Sequence, residues 1–228
     1  MSEEAHDLIW QDDATGAKLP VSGRFDDPYF SAADGRAESA YVFVDGNDLQ
    51  QRWSHNEAFT IGELGFGTGL NFLETWARWR EVRQPGQMLL FQSVEAYPLS
   101  TDDALTALSR WPDLGADAKA LWARDLNGVQ KLDEQTSLHV HHAFAEAAVP
   151  QFKACNAWFL DGFSPAKNES MWAPELMQAV FDRTASGGTI ASYTAAGWVR
   201  RNLEAAGFTV ERRPGFGRKR HMIVGAKP

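Results

Sequence analysis

The stretch ELGFGTGLNFL, residues 63–73, decides how this chain is read. Gly65, Gly67 and Gly69 alternate with Phe66 and Thr68, after an apolar run and before a segment of helical spacing. Glycines so placed let the backbone turn sharply and bring the N–H groups of a helix N-terminus up to a ligand. The loop therefore predicts a bound, nucleotide-like group. The dinucleotide fingerprint is G-x-G-x-x-G, and here the third glycine comes one residue early. A phosphate-binding P-loop would close on Gly-Lys-Ser/Thr, whereas this loop closes on Gly69-Leu70-Asn71.

On either side of the loop, strand-like and helix-like segments alternate. FTIGELGFG (59–67) reads as a buried strand entering the glycine turn, and LNFLETWARWREV (70–82) as the helix that follows. QMLLFQSVEAYP (87–98), SLHVHHAF (137–144), AWFLDGF (157–163) and GTIASYT (188–194) read as further strands. Helices are expected over 102–111, 118–126, 173–185 and 195–207; Gly187-Gly188 and Gly207 stand where helix ends need glycine. FTVERRPG and RKRHMIVGAK read as a closing strand pair around GFGR (215–218). This β-α alternation predicts an α/β fold: a doubly wound, Rossmann-like, mostly parallel sheet with an antiparallel edge pair. Residues 1–58 read as a β-rich N-terminal extension, with YVFVDGNDL (41–49) as a strand into an Asp-Gly turn, and 59–228 as the main domain.

Glu63 stands two residues before the first glycine. E-x-G-x-G-x-G at the end of a first strand is the usual loop of class I S-adenosyl-L-methionine (SAM) methyltransferases. Glu63, Gly65, Phe66, Gly67, Thr68, Gly69 and Asn71 are therefore expected at the cofactor. Glu95 closes the next strand, where a carboxylate can accept both ribose hydroxyls of an adenosine. Asp161 ends an apolar strand, on the side of the sheet where doubly wound folds place ligands. An amine acceptor must be neutral to attack a sulfonium methyl group. A carboxylate that orients its lone pair and takes up its proton, beside a flat aromatic ring, suits that chemistry. Asp161, with Phe163, is the candidate for both the cofactor's reactive end and catalysis; Lys167 and Asn168 follow it.

Composition is that of a globular protein: 44% hydrophobic and 23% charged residues over 228 positions. The acidic start MSEEAHDLIW has no signal-peptide pattern, and no apolar run is long enough for a membrane span. With one cysteine, Cys155, a disulfide framework is excluded, and a cytoplasmic setting without membrane is expected. Net charge is −8, yet residues 197–220 hold seven basic residues against two acids. That segment, with Lys219 and Arg220 at its end, is a candidate phosphate-binding face or a solvated edge hairpin. His139, His141 and His142 alternate in a strand without a completing carboxylate or cysteine, so no metal site is expected. Among nine tryptophans, Trp172 and Trp198 are the candidates for stacking on a base.

FDDPYFS (25–31), ELGFGTGLNFL, WFLDGFSPAKN (158–168), MWAPEL (171–176) and GFGRKR (215–220) together resemble the methyltransferase domain of the MnmC family of tRNA wobble-uridine modification enzymes, whose stand-alone form is called MnmD. The resemblance runs over nearly the whole chain. It implies SAM-dependent methylation of the primary amine of 5-aminomethyl-2-thiouridine at tRNA position 34, giving 5-methylaminomethyl-2-thiouridine. It implies tRNA as partner, with Phe163, Lys167, Asn168, Lys219 and Arg220 toward the substrate. Bifunctional relatives carry an FAD-dependent oxidase domain that makes the aminomethyl intermediate; here the amine is expected from another route, from a partner chain such as a separate FAD-dependent oxidase, or from a part of the protein outside this sequence. One departure stands out: relatives commonly have Gly-Asp after the third strand, whose Asp would bond the adenine amino group, and this chain has Ala143-Phe144. A small-amine methyltransferase, a nicotinamide oxidoreductase and a non-catalytic tRNA-binding module are the competing readings.

Overall fold

The computed structural model describes residues 7–228; the acidic start before Asp7 lies outside them. Three short strands, β1 (Leu8–Asp12), β2 (Lys18–Ser22) and β3 (Asp27–Pro28), form a small antiparallel sheet. Two helical turns follow, α1 (Gly35–Ser39) and α2 (Leu49–Trp53), joined by a π-helical segment, Ala40–Asp45. The chain then alternates as β4 (Ala58–Leu64), α3 (Leu70–Val82), β5 (Met88–Val94), α4 (Thr101–Leu108) and α5 (Gly115–Trp122). A hairpin, β6 (Gly128–Asp133) and β7 (Thr136–His141), leads into α6 (Ala145–Ala148) and β8 (Cys155–Leu160). The last elements are α7 (Pro174–Asp182), β9 (Thr184–Ser192), α8 (Gly197–Ala206), β10 (Thr209–Pro214) and β11 (His221–Ala226).

The main sheet has eight strands in the order β10-β11-β9-β8-β4-β5-β7-β6. Its centre, β9 to β7, is parallel, and both ends are antiparallel. From β4 the chain first moves toward β5 and β7, then returns to lay β8 on the other side of β4. The gap beyond the ends of β4 and β8 is thus the topological switch point, where such sheets bind ligands. Because both faces are covered, β4, β5 and β8 are buried over most of their length rather than at alternate residues. In β8, Ala157 and Phe159 pack with α3, α4 and α5, whereas Trp158 and Leu160 pack with α7 and α8.

Two local expectations fail for stated reasons. Residues 41–49 are not a strand. Val42, Phe43 and Val44 are all buried, Phe43 stacks on Phe159 at 5.0 Å, and Gly46 N–H closes a five-residue turn onto Tyr41 O at 3.2 Å. Burial on the sheet thus overrides the strand preference of the Val-Phe-Val run. Asn47 locks the segment down by donating to Trp158 O at 3.3 Å, and Arg52 donates to Asn156 O at 2.8 Å. Gly187-Gly188 does not end a helix either. α7 stops at Asp182, and the glycines lie inside β9, where the pairing jumps from Cys155↔Thr184 to Ala157↔Thr189. This is a bulge, a common use of glycine within a strand. The expected strand pair around GFGR is present as β10 and β11. β6, edge-placed and only partly buried, has no counterpart in the sequence reading.

Candidate functional site

The glycine loop leaves β4 with Gly65 at φ 91° and enters α3 through Gly69 at φ 77°, both in the left-handed region. A side chain on Gly65 would also stand 3.2 Å from Asp161 O, and one on Gly69 3.0 Å from the Phe66 ring. Gly69 is the N-cap of α3 and brings no capping side chain. The loop is held from outside: Gly65 and Phe66 N–H donate to Val94 O at 3.1 Å, and the Trp122 indole N–H to Thr68 O at 3.1 Å. Glu95 joins loop and β5 by accepting from Gly67 N–H at 2.8 Å and Tyr97 N–H at 2.9 Å. Its carboxylate is thereby fixed at the cavity wall before any ligand arrives.

Beneath the loop, Asn71 Nδ2 donates to Asp161 Oδ2 at 2.6 Å and to Glu63 Oε1 at 3.0 Å, and Ser93 Oγ donates to Glu63 Oε2 at 2.6 Å. Glu63 is fully buried, and loss of solvent raises its carboxyl well above the usual range. It does not line the cavity and meets it only through Asn71. Asp161 does line it. Burial raises its carboxyl to about 7; the Asn71 bond and Lys219 oppose the rise, and the charges of Glu38 and Asp27 add to it. A carboxylate that changes protonation near neutrality can take up a proton during a reaction.

The cavity at the switch point encloses about 720 Å³, within the range for cofactor-sized ligands. One end is walled by Glu95, Tyr97, Ala143, Phe144 and Glu146. Phe144 is 61% exposed and meets Tyr97 edge-on at 5.9 Å, with the Arg24 guanidinium 4.5 Å from the Tyr97 ring centre. A second aromatic group adjoins it through Phe25, which meets Tyr97 edge-on at 6.1 Å. Phe163 stacks on Phe25 at 4.9 Å and meets Tyr29 edge-on at 5.2 Å, and Tyr193 donates its hydroxyl to Gly162 O at 2.8 Å. Burial raises both Tyr29 and Tyr193 above the usual phenol range, so they stay neutral donors. Lys219 Nζ sits 2.7 Å from Glu38 Oε1 and 4.2 Å from the Tyr193 ring centre.

Of the residues singled out from sequence, Gly65, Phe66, Gly67, Thr68, Asn71, Glu95, Asp161, Phe163, Asn168 and Lys219 line this cavity. Glu63 and Gly69 support it from behind. Lys167 and Arg220 do not line it. Lys167 instead holds the N-terminal segment, with Nζ 3.0 Å from Asp26 Oδ2, while Ser164 N–H donates to Asp27 Oδ2 at 2.8 Å. Arg220 is exposed beside the GFGR turn. Trp172 is no stacking platform: it is fully buried, and its indole N–H donates to Phe163 O at 2.9 Å. Trp198 packs against the α7/α8 side of the core, outside the cavity. His139 and His141 pair at 3.7 Å, with His141 stacked on Phe152. Cys155 is buried, which pushes its thiol up and away from reactivity. Sequence reasoning missed Phe25, Asp27, Tyr29, Glu38 and Tyr193. The first three lie in FDDPYFS, whose density of acids and aromatics was the available signal.

A family described as S-adenosyl-L-methionine-dependent methyltransferase matches residues 113–228. Among curated proteins, the chain is 43% identical over 236 residues to the tRNA 5-methylaminomethyl-2-thiouridine biosynthesis bifunctional protein MnmC of Caulobacter sp. (strain K31), covering 98% of this chain and 39% of that one. It is 44% identical over 229 residues to the protein of the same name from Chromohalobacter salexigens, covering 96% of this chain and 32% of that one. The chain thus spans about two fifths or less of the length of these relatives. Among solved structures, MNMC2 from Aquifex aeolicus superposes with a TM-score of 0.81 at 24% identity, covering all of this chain and 73% of that one. That likeness concerns the fold. Among the described residues, no helix is long and apolar enough to cross a membrane.

Proposed function

Since this chain belongs to the family of S-adenosyl-L-methionine-dependent methyltransferases, we propose that it methylates the primary amine of 5-aminomethyl-2-thiouridine at the wobble position of tRNA, giving 5-methylaminomethyl-2-thiouridine. SAM is its cofactor and supplies an activated methyl group on a sulfonium. The cavity fits that group. Two glycines without side chains leave room for the backbone to approach it, Glu95 offers a pre-set carboxylate for ribose hydroxyls, and acidic groups surround the position of a cation. Gly65, Phe66, Gly67 and Thr68 would hold it, with Tyr97 and Phe144 at its base, while the Asn71 amide behind them is committed to Asp161 and Glu63.

The observation that carries the reading is the placement of Asp161. It stands where the glycine loop and the aromatic end of one cavity meet, tied to Asn71 at 2.6 Å. Phe163, Phe25 and Tyr29 offer flat apolar surface for a base, and Asn168 and Lys219 offer polar contacts at the rim. Ionised Asp161 accepts a hydrogen from the neutral amine, aims its lone pair and takes the proton released on transfer. The relatives named for 5-methylaminomethyl-2-thiouridine biosynthesis support the choice of acceptor. On this reading tRNA docks through the basic hairpin that carries Lys219 and Arg220, an FAD-dependent oxidase activity supplies the amine, and the setting is cytoplasmic.

The test incubates the chain with methyl-labelled SAM and tRNA bearing 5-aminomethyl-2-thiouridine, then identifies the labelled nucleoside. Label in 5-methylaminomethyl-2-thiouridine is the expected result. Label elsewhere, or none with SAM bound, would overturn the acceptor.

A further inference from the structure

Four element ends meet under the cavity floor. Glu63 lies near the end of β4, Ser93 near the end of β5, Asn71 in the first turn of α3, and Asp161 just past β8. Asn71 has two amide hydrogens, and both are committed: one to Asp161 Oδ2 at 2.6 Å, the other to Glu63 Oε1 at 3.0 Å. The second Glu63 oxygen accepts from Ser93 Oγ at 2.6 Å. With these carboxyls ionised, turning the amide over would set its carbonyl oxygen against two carboxylate oxygens and forfeit both bonds. Glu63 and Ser93 therefore decide which way Asn71 faces, and Asn71 decides how Asp161 is held. Glu63, fully buried, has no other route to the cavity.

We propose that Asn71 is a positioning residue for methyl transfer: it clamps one oxygen of Asp161 and leaves the other to the acceptor amine, while Glu63 and Ser93 hold Asn71 in the required orientation. This rests on the reading of Asp161 given above. It adds a relay in which the acid before the glycine loop acts on the acceptor side through two hydrogen bonds, not on the cofactor directly.

The test follows the Asp161 carboxyl by ¹³C NMR in cofactor-free protein, its signal identified by loss in Asp161→Asn. In the unsubstituted chain it titrates near 7. In Asn71→Leu, which keeps the branched outline but not the donor, the titration is expected at least one unit higher, because the charged form has lost a hydrogen bond. Turnover on tRNA at pH 8 falls at least about tenfold, with the SAM Kd within about threefold, since only the acceptor side is disturbed. Glu63→Gln, which leaves Asn71 in place but lets it turn over, should shift the titration in the same direction by less. Should Asn71→Leu fail to fold, Asn71→Ser is measured with the same expectation. An unmoved Asp161 titration in the folded variant overturns the proposal, as does a SAM Kd that rises in step with the loss of turnover. Full turnover in Asp161→Asn overturns the role of Asp161 itself and the positioning role with it, while the NMR titration still reports whether the Asn71 bond exists.

Discussion

The backbone N–H of Gly67 donates to Glu95 Oε2 at 2.8 Å, so the glycine loop and the carboxylate at the end of β5 form one unit rather than two neighbours. Losing that carboxylate removes a ligand contact and also frees the loop. Glu95→Ala should therefore weaken SAM binding by about tenfold or more, the cost of one or two charge-assisted hydrogen bonds. Calorimetric titration with SAM checks this, and Glu95→Gln, which can still accept from Gly67, should lose less.

Asp161 changes protonation at about 7, and the ionised form is the one that accepts the amine's hydrogen. Turnover should fall at least about tenfold for each pH unit below that value, and any further rise above it follows the acceptor amine losing its own proton. Stability runs the opposite way. Because the folded-state value is raised above the usual one, the native chain holds this proton more tightly than the unfolded chain, and the site loses stability as pH rises from about 4 toward 7. Asp161→Asn should remove the break in the rate profile near 7 and leave only the dependence on the amine's own proton. It should also raise the melting temperature more at pH 8 than at pH 5, as calorimetry at the two pH values would reveal.

Phe144 is exposed at the cavity rim beside Tyr97. If it covers the adenine, Phe144→Ala should cost roughly 1–2 kcal/mol in SAM affinity, the scale of aromatic stacking on a base. The melting temperature without SAM should hardly move. Equal affinity for the two proteins in a fluorescence titration would remove Phe144 from the base subsite.

Trp172 hydrogen-bonds the Phe163 carbonyl from within the core. Trp172→Phe should destabilise the fold by about 1–3 kcal/mol through the orphaned carbonyl and the lost volume. It should slow turnover by displacing Phe163, with SAM affinity held. Urea unfolding and steady-state kinetics together test this.

Arg212, Arg218 and Arg220 are exposed on the terminal hairpin and have no acidic partner among the described residues. If they contact tRNA phosphates, Arg218→Ala with Arg220→Ala should weaken tRNA binding and flatten its dependence on log salt by about 1 per lost contact. SAM binding should not change. An unaltered salt slope would place the tRNA elsewhere.

Where a segment's own chemistry fixes its form, the sequence was a sufficient guide. The helix expected over 70–82 is α3, Leu70–Val82, because the glycine turn sets its start and the apolar stripe its face. Glu95 and Asp161 stand at cavity-facing strand ends because strand order in a doubly wound sheet allows little else. The failures are tertiary. Val42 to Val44 have strand chemistry but a sheet beneath them to cover. Gly187-Gly188 has helix-end chemistry but serves a bulge. Trp172 sits in a segment that faces the cavity yet points inward. The aromatic wall from Phe25 to Tyr29 lies some 130 residues before Phe163 in sequence, and no local pattern announces a contact at that distance.

That wall has a consequence for the order in which the site comes into being. Glu38 meets Lys219, and the Tyr41 hydroxyl donates to Pro214 O across 173 residues of chain. Contacts of such separation carry the largest loop-closure cost and are made late. During synthesis the segment from Phe25 to Tyr41 emerges early; Arg36 can meet Glu74 and Phe30 can meet Trp111 first, but Glu38 and Tyr41 gain their partners only when the last hairpin is made. Ligand affinity should therefore be the last property gained on refolding, trailing the recovery of sheet signal in a stopped-flow experiment.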